Sequence, residues 1–323
     1  MVFGNRGRAI GRRINMALDC SVVIISWNVA DLLRQCLDSI SQSLAGSNYS
    51  YEVIVVDNAS HDDSVMMVRQ AFPKVQIIET GANLGYAGGV NIGVDAAQGQ
   101  WILVLNPDTV MQAEAIPQLL DWAQQQPTAS VIGPQLRYPD GSIQSSRRRL
   151  PTKASYFFES TILERWWPNN PWALAYRCAD QPDDQPQQVE WLMGAALLVR
   201  KSAIEQAGLM DRRFWMYSEE VDWQARLGRF GPIWYVPQAV IIHHEGKSSE
   251  QAPARKHLAF QESKLRYASL YEGPIFATCL HFFLASSYLY ELAVESVKWL
   301  LGHKRELRWQ RMQIYWQVLR HFG

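Results

Sequence analysis

The sequence predicts an α/β fold: a mostly parallel central sheet flanked by helices, with a helical extension at the C-terminal end. Three observations predict it. Two short runs, "SVVIISWN" (21–28) and "YEVIVVD" (51–57), are apolar at consecutive positions, as strands buried on both faces are, and "KVQIIET" (74–80) and "WILVLN" (101–106) read as a third and a fourth strand. Helical patterns separate these runs, which is the alternation that makes a parallel sheet. From Gln251 onward the pattern is helical alone.

Each element follows from its local pattern. The first run leads into a helix with Leu32, Leu33, Cys36, Leu37 and Ile40 on one stripe. After the second run, Ser60 with Asp63 reads as a capping box opening a short helix through Phe72. The third run precedes "GYAGGVNIGVDAAQG" (85–99), a turn and a helix that Gly99 stops. After residue 127 the pattern changes. "IGPQLRYPDGSIQSSRRR" reads as a hairpin around the Pro139-Asp140-Gly141 turn, and a Trp- and Pro-rich insertion fills roughly 155–186. "VEWLMGAALLVRKSAIEQAG" gives a strand and a short helix ending near Gly208. "MYSEEVDWQARLGRFG" gives a helix with Glu219, Glu220 and Asp222 in its first turn, where acids suit the helix dipole. "IWYVPQAVIIHHEGKSS" gives short strands ending in His243-His244.

In the tail, Pro274 is placed as the first-turn proline of "PIFATCLHFFLASSYLYELAVESVKWLL". The uncharged run from Ile275 to Tyr290 is shorter than the ~20 residues that span a bilayer. Glu291, Glu295 and Lys298 then interrupt it, so a core or interfacial helix is expected rather than a span. Phe282, Phe283, Tyr288, Tyr290 and Trp299, followed by the basic "HKRELRWQR", suit a helix lying in a membrane interface. A helix packed on the main domain or on a second subunit fits the same residues.

The 323 residues allow one large or two modest domains, and 48% apolar content supplies a core. A formal net charge of +0 argues against a dedicated nucleic-acid binder. Thirteen Trp and thirteen Tyr, concentrated after residue 150, suit sugar faces, membrane interfaces or simply a core. Cys20, Cys36, Cys178 and Cys279 have neither metal-ligand nor redox spacing, so they are expected to be reduced and buried, in a cytosolic compartment. The first residues carry Arg6, Arg8, Arg12 and Arg13 without the apolar stretch of a secretory signal. They read as a flexible lead, with Met16 as an alternative start, or as a basic arm for anionic lipid.

In such sheets ligands gather beyond the carboxyl ends of the strands. Asp57 ends the second run and Asp108 follows the fourth, so both are expected on that rim. "SWN" after the first run is not the G-x-G-x-x-G of a dinucleotide fold, and the chain has neither a P-loop nor a G-x-S-x-G elbow. Gly85, Gly88 and Gly89 permit close backbone approach to a ligand, or equally tight packing. Asp108 is a candidate ligand for a divalent cation bridging two phosphates, since Mg²⁺ takes one or two carboxylates plus substrate oxygens. His243 or His244 is a candidate to complete that shell, and Mn²⁺ accepts imidazole. The Glu219-Glu220-Asp222 cluster offers a general base, or merely compensates the helix dipole. Arg147, Arg148 and Arg149 offer a diphosphate contact, or merely form a solvated basic loop.

Taken together, "VIISWNVADLLRQCLDSI", "VIVVDNASHDDS", "NLGYAGGVNIGVDAAQG", "ILVLNPDT", "WLMGAALLVRKSAIEQAGLMD", "FWMYSEEVDWQARL" and "HHEGKSS" resemble family 2 glycosyltransferases, and most of all their rhamnosyltransferase-like branch. The resemblance covers about residues 20–250, in order and with the family's spacing, and excludes the lead and the tail. It implies a GT-A fold with a Rossmann-like sheet. It also implies inverting transfer of a sugar, rhamnose in that branch, from a dTDP- or UDP-linked donor to a cell-envelope or lipid-linked glycan, aided by Mg²⁺ or Mn²⁺. Carried over by position, the nucleotide-sugar site would comprise Ser26, Asn28, Asp57, Asn58, Asn83, Gly85, Asn106 and Asp108. Asp108 matches the last acid of the family's Asp-any-Asp motif, whose first place is held here by Asn106, so the metal site has less charge. Asp108 and His243 would hold the metal. Arg148 and His244 would meet the diphosphate, and Gly246 and Ser248 fill the rest of the family's His-x-x-Gly-x-Ser pattern. Glu220 matches the catalytic base. Trp191, Gly194, Glu219 and Asp222 would border the donor sugar or acceptor.

The expected organisation is a basic lead (1–18), a nucleotide-sugar-binding half (19–135), an acceptor and catalytic half (136–250) and a helical region (251–323) that associates with a membrane or a second copy. The expected location is the cytoplasm, with peripheral contact to the inner face of the membrane as one outcome for the tail. Two other functions fit the residues less well: a nucleotide-sugar-binding module without turnover, and a nucleotidyltransferase on a similar sheet.

Overall fold

The computed structural model describes residues 18–244 and 253–322. The basic lead, Met16, Gly246 and Ser248 lie outside the described residues. In chain order the elements are β1 (Cys20–Ser26), α1 (Ala30–Ser43), β2 (Tyr51–Asp57), α2 (Ser64–Ala71), β3 (Gln76–Glu79), α3 (Gly85–Ala96), β4 (Trp101–Leu105), β5 (Thr109–Met111), α4 (Ala115–Gln125), β6 (Val131–Arg137) and β7 (Arg147–Arg148). The insertion forms α5 (Lys153–Phe158), α6 (Ile162–Trp166) and α7 (Pro171–Tyr176). Then come β8 (Gln187–Val189), β9 (Trp191–Leu192), β10 (Ala196–Arg200), α8 (Lys201–Ala207), α9 (Glu219–Leu227), β11 (Ile233–His243), α10 (Pro253–Tyr271), α11 (Pro274–Leu300) and α12 (Arg305–Phe322).

One sheet runs through both halves, in the order β3-β2-β1-β4-β10-β6-β11-β5, with β8 also on β11. Strands β1 to β4 are mutually parallel. β10 is antiparallel to both β4 and β6, and β11 is parallel to β6. The carboxyl ends of β1, β2, β4, β6 and β11 therefore share one rim, and β10 starts there.

The continuous apolar runs explain the layers. Val22 and Ile24 face one side with Leu33, Leu37 and Ile40 of α1, Met67 of α2 and Ile116 and Leu119 of α4. Val23 and Ile25 face the other with Val90 and Val94 of α3, Ile204 of α8 and Trp223 and Leu227 of α9. Both faces of the strand are covered, so its middle, Val22 to Ile25, is apolar throughout, and serines stand only near its ends, at Ser21 and Ser26.

Three local expectations need correction. The capping box at Ser60 and Asp63 is not formed. Ser60 Oγ instead accepts the Asn28 N–H, α2 begins at Ser64, and Asp62 accepts N–H groups from Ala30 and Ser64. The β1 and β2 rim loops are thus tied to each other, and Asp62 serves two helix starts. The Pro139-Asp140-Gly141 turn does close a short hairpin, with the Tyr138 N–H on the Ser142 carbonyl, the Gln144 N–H on the Leu136 carbonyl and an Arg137–Ile143 bridge, but the returning arm ends there; Arg147–Arg148 pairs with Trp191–Leu192 instead. The region 233–243 is one strand with a register irregularity between Val236 and Val240, where Pro237 removes a donor.

The tail packs on residues of the 136–250 stretch; its Cys279 is exposed, which corrects the expectation that all four cysteines are buried, while Cys20, Cys36 and Cys178 are buried. Tyr267, Ala268, Leu280 and Leu284 share a cluster with Tyr156, Trp191, Phe214 and Val221.

Candidate active site

Among the described residues, five buried side-chain atoms without a hydrogen-bond partner belong to residues on this rim or packed against it: Ser26 Oγ, Asp57 Oδ1, Glu219 Oε2, Glu220 Oε2 and His243 Nε2. An unpaired buried polar atom is costly, so a group of them on a ligand-binding edge calls for a ligand.

At one part of the rim, Ser26 and Asp57 end β1 and β2 and are partners in register. Asp57 uses only Oδ2, which accepts the Ser60 N–H at 3.0 Å. Asn28, at φ 53, accepts the His61 N–H at 2.7 Å, so its side chain builds the loop. Asn58 organises the next loop: its Nδ2 donates to the Gly85 carbonyl at 2.9 Å and to Asn83 Oδ1 at 3.3 Å, and its Oδ1 accepts the Leu84 N–H at 3.0 Å. Gly85 sits at φ +74, and a Cβ there would lie 2.7 Å from the Trp215 carbonyl. Gly88 and Gly89 serve packing, against Leu84 and Ile25.

Next along the rim, Asp108 follows β4. Asn106 is fixed through its backbone, donating to the Ala195 carbonyl at 2.9 Å. His243 Nδ1 is 2.9 Å from Gln144 Oε1. With that oxygen accepting, Nδ1 carries the proton and Nε2 presents a lone pair. That lone pair faces Asp108 Oδ1 at 3.4 Å. Two lone pairs so placed repel unless a cation or a proton lies between them. His244 is half-buried and donates its N–H to the Asp108 carbonyl at 3.0 Å. Among the described residues no cluster of three or more ligating side chains occurs, so a cation here would take its remaining oxygens from phosphate and water.

The third group opens α9. Tyr217 and Ser218 both adopt left-handed backbone, φ 68 and 62, which costs about 1–2 kcal/mol for each non-glycine residue. They turn Glu219 and Glu220 inward. Glu219 is buried and Glu220 half-buried. Desolvation raises both carboxyls, Glu219 well above its ordinary value with the Glu220 charge adding to it. The backbone N–H groups of Glu220 and Val221 and the charge of Arg148 oppose the rise at Glu220. Glu220 thus has more groups near it that favour its charged form than Glu219 has. Its stem packs on Gly194, where a Cβ would approach Glu220 Cβ to 3.3 Å. The Tyr86 hydroxyl donates to the Gly194 carbonyl at 3.0 Å. Burial raises the Tyr86 phenol well above its usual range, and the charges of Glu219, Glu220 and Asp108 add to that, so all three carboxylates act on one hydroxyl.

Trp191 and Arg148 face each other across the β7–β9 ribbon. The Trp191 indole donates to the Arg149 carbonyl at 2.9 Å. The Arg148 guanidinium lies 5.9 Å from the Trp191 ring centre and 5.8 Å from that of Tyr176. Arg147 and Arg149 are taken up by local partners, Arg147 by the Pro182 carbonyl and Gln187, Arg149 by Asp180. Among the described residues, Arg148 bonds Ser145 and its neighbour's carbonyl, both through Nη1. Asp222 is not brought to Glu220. Two residues along a helix places it on another face, where it pairs with Arg226 and accepts from the Tyr271 hydroxyl. The expectation that Asp222 borders the sugar is corrected accordingly.

Sequence reasoning missed Tyr86, Gln144 and the Tyr217–Ser218 turn. Tyr86 stands inside a glycine-rich block but carries no chemical sign of its role. Gln144 follows a turn whose partner strand could not be read.

Comparison with known proteins agrees with this geometry. Residues 21–205 match the family model for Glycosyl transferase family 2. A relative from Mycobacterium tuberculosis, N-acetylglucosaminyl-diphospho-decaprenol L-rhamnosyltransferase, is 37% identical over 251 residues, covering 74% of this chain and 80% of the relative. Among solved structures, the mannosyltransferase PcManGT from Pyrobaculum calidifontis, in complex with GDP-Man and Mn²⁺, superposes with TM-score 0.53 at 15% identity, over 95% of this chain and 87% of that one. GalNAc-T7 with UDP, GalNAc and Mn²⁺ gives TM-score 0.58 at 15% identity, over 95% of this chain and 56% of that one, so the chain spans just over half its length. The chain belongs to Glycosyl transferase family 2 and is a glycosyltransferase of the GT-A fold.

Proposed function

We propose that the protein transfers L-rhamnose, with inversion, from a nucleoside-diphosphate donor to a hydroxyl of N-acetylglucosamine carried on a polyprenyl diphosphate. The name of the M. tuberculosis relative supports this donor sugar and acceptor. The observation that carries the reading is the set of unpaired polar atoms on and beside the rim. Asp57 Oδ1 and Ser26 Oγ are the groups left to receive a nucleoside, beside the loop that Asn58 holds rigid. Asp108 and His243 fit a Mg²⁺ or Mn²⁺ ion, because their facing lone pairs need a positive charge between them. When bound, that ion would neutralise charge growing on the departing diphosphate.

The remaining chemistry belongs to this chain's side chains. Glu220 takes the proton from the acceptor hydroxyl as that oxygen attacks the anomeric carbon from the face opposite the nucleotide. Gly194 leaves room for the Glu220 stem, and Trp191 walls the sugar site. Arg148, stacked and without a carboxylate at ion-pair distance among the described residues, is suited to the acceptor diphosphate.

The test is direct. Purified protein, dTDP-L-rhamnose, a short-chain N-acetylglucosaminyl-diphospho-lipid and Mg²⁺ or Mn²⁺ should give one rhamnosylated product, lost on chelation. Transfer from another nucleotide sugar with none from dTDP-rhamnose would overturn the donor assignment. Full activity in excess chelator would remove the ion from the scheme.

A further inference from the structure

The outer face of α11 has no role in the chemistry above. Ile275, Phe282, Leu289, Val297, Leu300 and the following Leu301 point outward, each between 56% and 82% exposed. At 1.5 Å per residue the 27-residue helix makes a strip about 40 Å long. The three charged residues of α11 lie on the opposite side: Glu291 bonds Arg165, and Glu295 bonds Arg308 and Lys298. By length and composition α11 qualifies as a membrane span, with mean hydropathy 1.3 and 28% of its apolar window buried. Yet its inner side, with both acids, is committed to α10, α12 and the insertion. A helix with one side held by protein and one side bare fits a bilayer surface, not its interior.

Two independent observations say what covers the bare side. The first is charge. Residues 251–323 hold ten Lys and Arg against five Glu, whereas residues 18–250 hold seventeen Lys and Arg against twenty-six Asp and Glu. Of the five tail acids, Glu291 and Glu295 are buried in ion pairs, and Glu262 and Glu272 pair with His321 and Lys153. Lys304 and Arg305 stand exposed where α11 ends. The second is tryptophan. Trp166, Trp167 and Trp172 of the insertion and Trp309 and Trp316 of α12 are all more than a third exposed; α12 packs on α11, and the insertion meets it through α5 and through Arg165 and Trp166 of α6. Trp166 also meets Tyr290 of α11 edge-on. Tryptophan favours the lipid headgroup level, and clustered cations favour anionic lipid. A second copy on this face would bring two tails of like charge together.

We propose that the outer face of α11 lies in the plane of an anionic phospholipid bilayer. Its inner face shares a core with Trp191 and Val221, so membrane docking and the acceptor wall are parts of one packed unit. The role of docking, meeting a lipid-linked acceptor where it resides, rests on the proposed function; the docking itself does not.

The experiment is flotation of the full chain, with no donor or acceptor present, on phosphatidylcholine vesicles with and without phosphatidylglycerol. Its counterpart is the triple variant Phe282→Glu, Leu289→Glu, Val297→Glu, all on the exposed side. Wild type should float with phosphatidylglycerol vesicles, and the variant's partitioning should fall by about tenfold or more. The variant's nucleotide affinity and circular dichroism should be unchanged. Wild type that stays with the soluble fraction overturns the proposal. So does a variant that floats equally well. A wild-type dimer that the triple variant splits, with no vesicle binding, assigns the face to a second copy instead. Because no turnover is read, the result stands whatever the sugar or acceptor proves to be.

Discussion

The two walls of the cleft are built differently. On the nucleotide side, loop side chains are bonded to one another: Asn28, Asp57, Asn58, Ser60 and Asn83 form a network that leaves two atoms, Ser26 Oγ and Asp57 Oδ1, for a ligand. On the catalytic side, the opening of α9 sets two carboxyls together behind two left-handed residues, and each keeps a buried oxygen unpaired. Apart from those two atoms, the first wall is held by hydrogen bonds within its own loops. The second holds an electrostatic cost, two neighbouring carboxyls that burial raises. A binding surface gains from rigidity, whereas a base gains from a carboxylate kept short of hydrogen bonds.

The largest effect that separates the walls is expected from Glu220→Gln. The amide keeps the shape and removes the base, so kcat should fall by ~10²–10⁴. Nucleotide affinity, read by calorimetry, should stay as in wild type, because no atom of the first wall is touched. Near-normal kcat in a folded Glu220→Gln protein would end the division of labour.

A smaller effect should come from the other wall. Asn58→Ala removes four side-chain hydrogen bonds, the one from Thr80 being long at 3.5 Å, and leaves the Leu84 N–H without this acceptor. Urea unfolding should show a loss of about 2–3 kcal/mol. Donor KM should rise, while kcat at saturating donor changes little. A variant with wild-type stability and a lowered kcat would mean that the two walls are not separable.

The walls also differ in how much the sequence disclosed. Strands β1, β2 and β4 were legible because burial on both faces writes a continuous apolar run, and the ends of those runs placed Asp57 and Asp108 on the rim. The order of the remaining strands was not legible. β10 enters between β4 and β6 from residues far along the chain, and no local pattern records that pairing. Asp222 shows the same limit: three acids in one turn look alike in sequence, and only the packing of Arg226 and Tyr271 separates it from Glu219 and Glu220. Gln144 and Tyr86 act through contacts made across the chain, to His243 and Gly194, so their residue types carried no signal.

The smallest effect tests the order in which the glutamate pair ionises. Glu219 is raised well above its ordinary value of 4.5, by burial first and then by the Glu220 charge. The folded protein therefore holds a proton that the unfolded chain releases. That contribution to stability is complete below the unfolded value and is lost as pH rises through the folded one. In Glu219→Gln the loss is absent, so unfolding free energy should decline less from about pH 5 upward than in wild type. Glutamine also imitates the protonated acid that already neighbours Glu220 when Glu220 titrates. The acid limb of the kcat profile should thus stay within roughly 0.3 of a pH unit of wild type. A limb moved down by a full unit would show Glu219 carrying the charge while Glu220 keeps the proton, and the base would have to be reassigned to its neighbour.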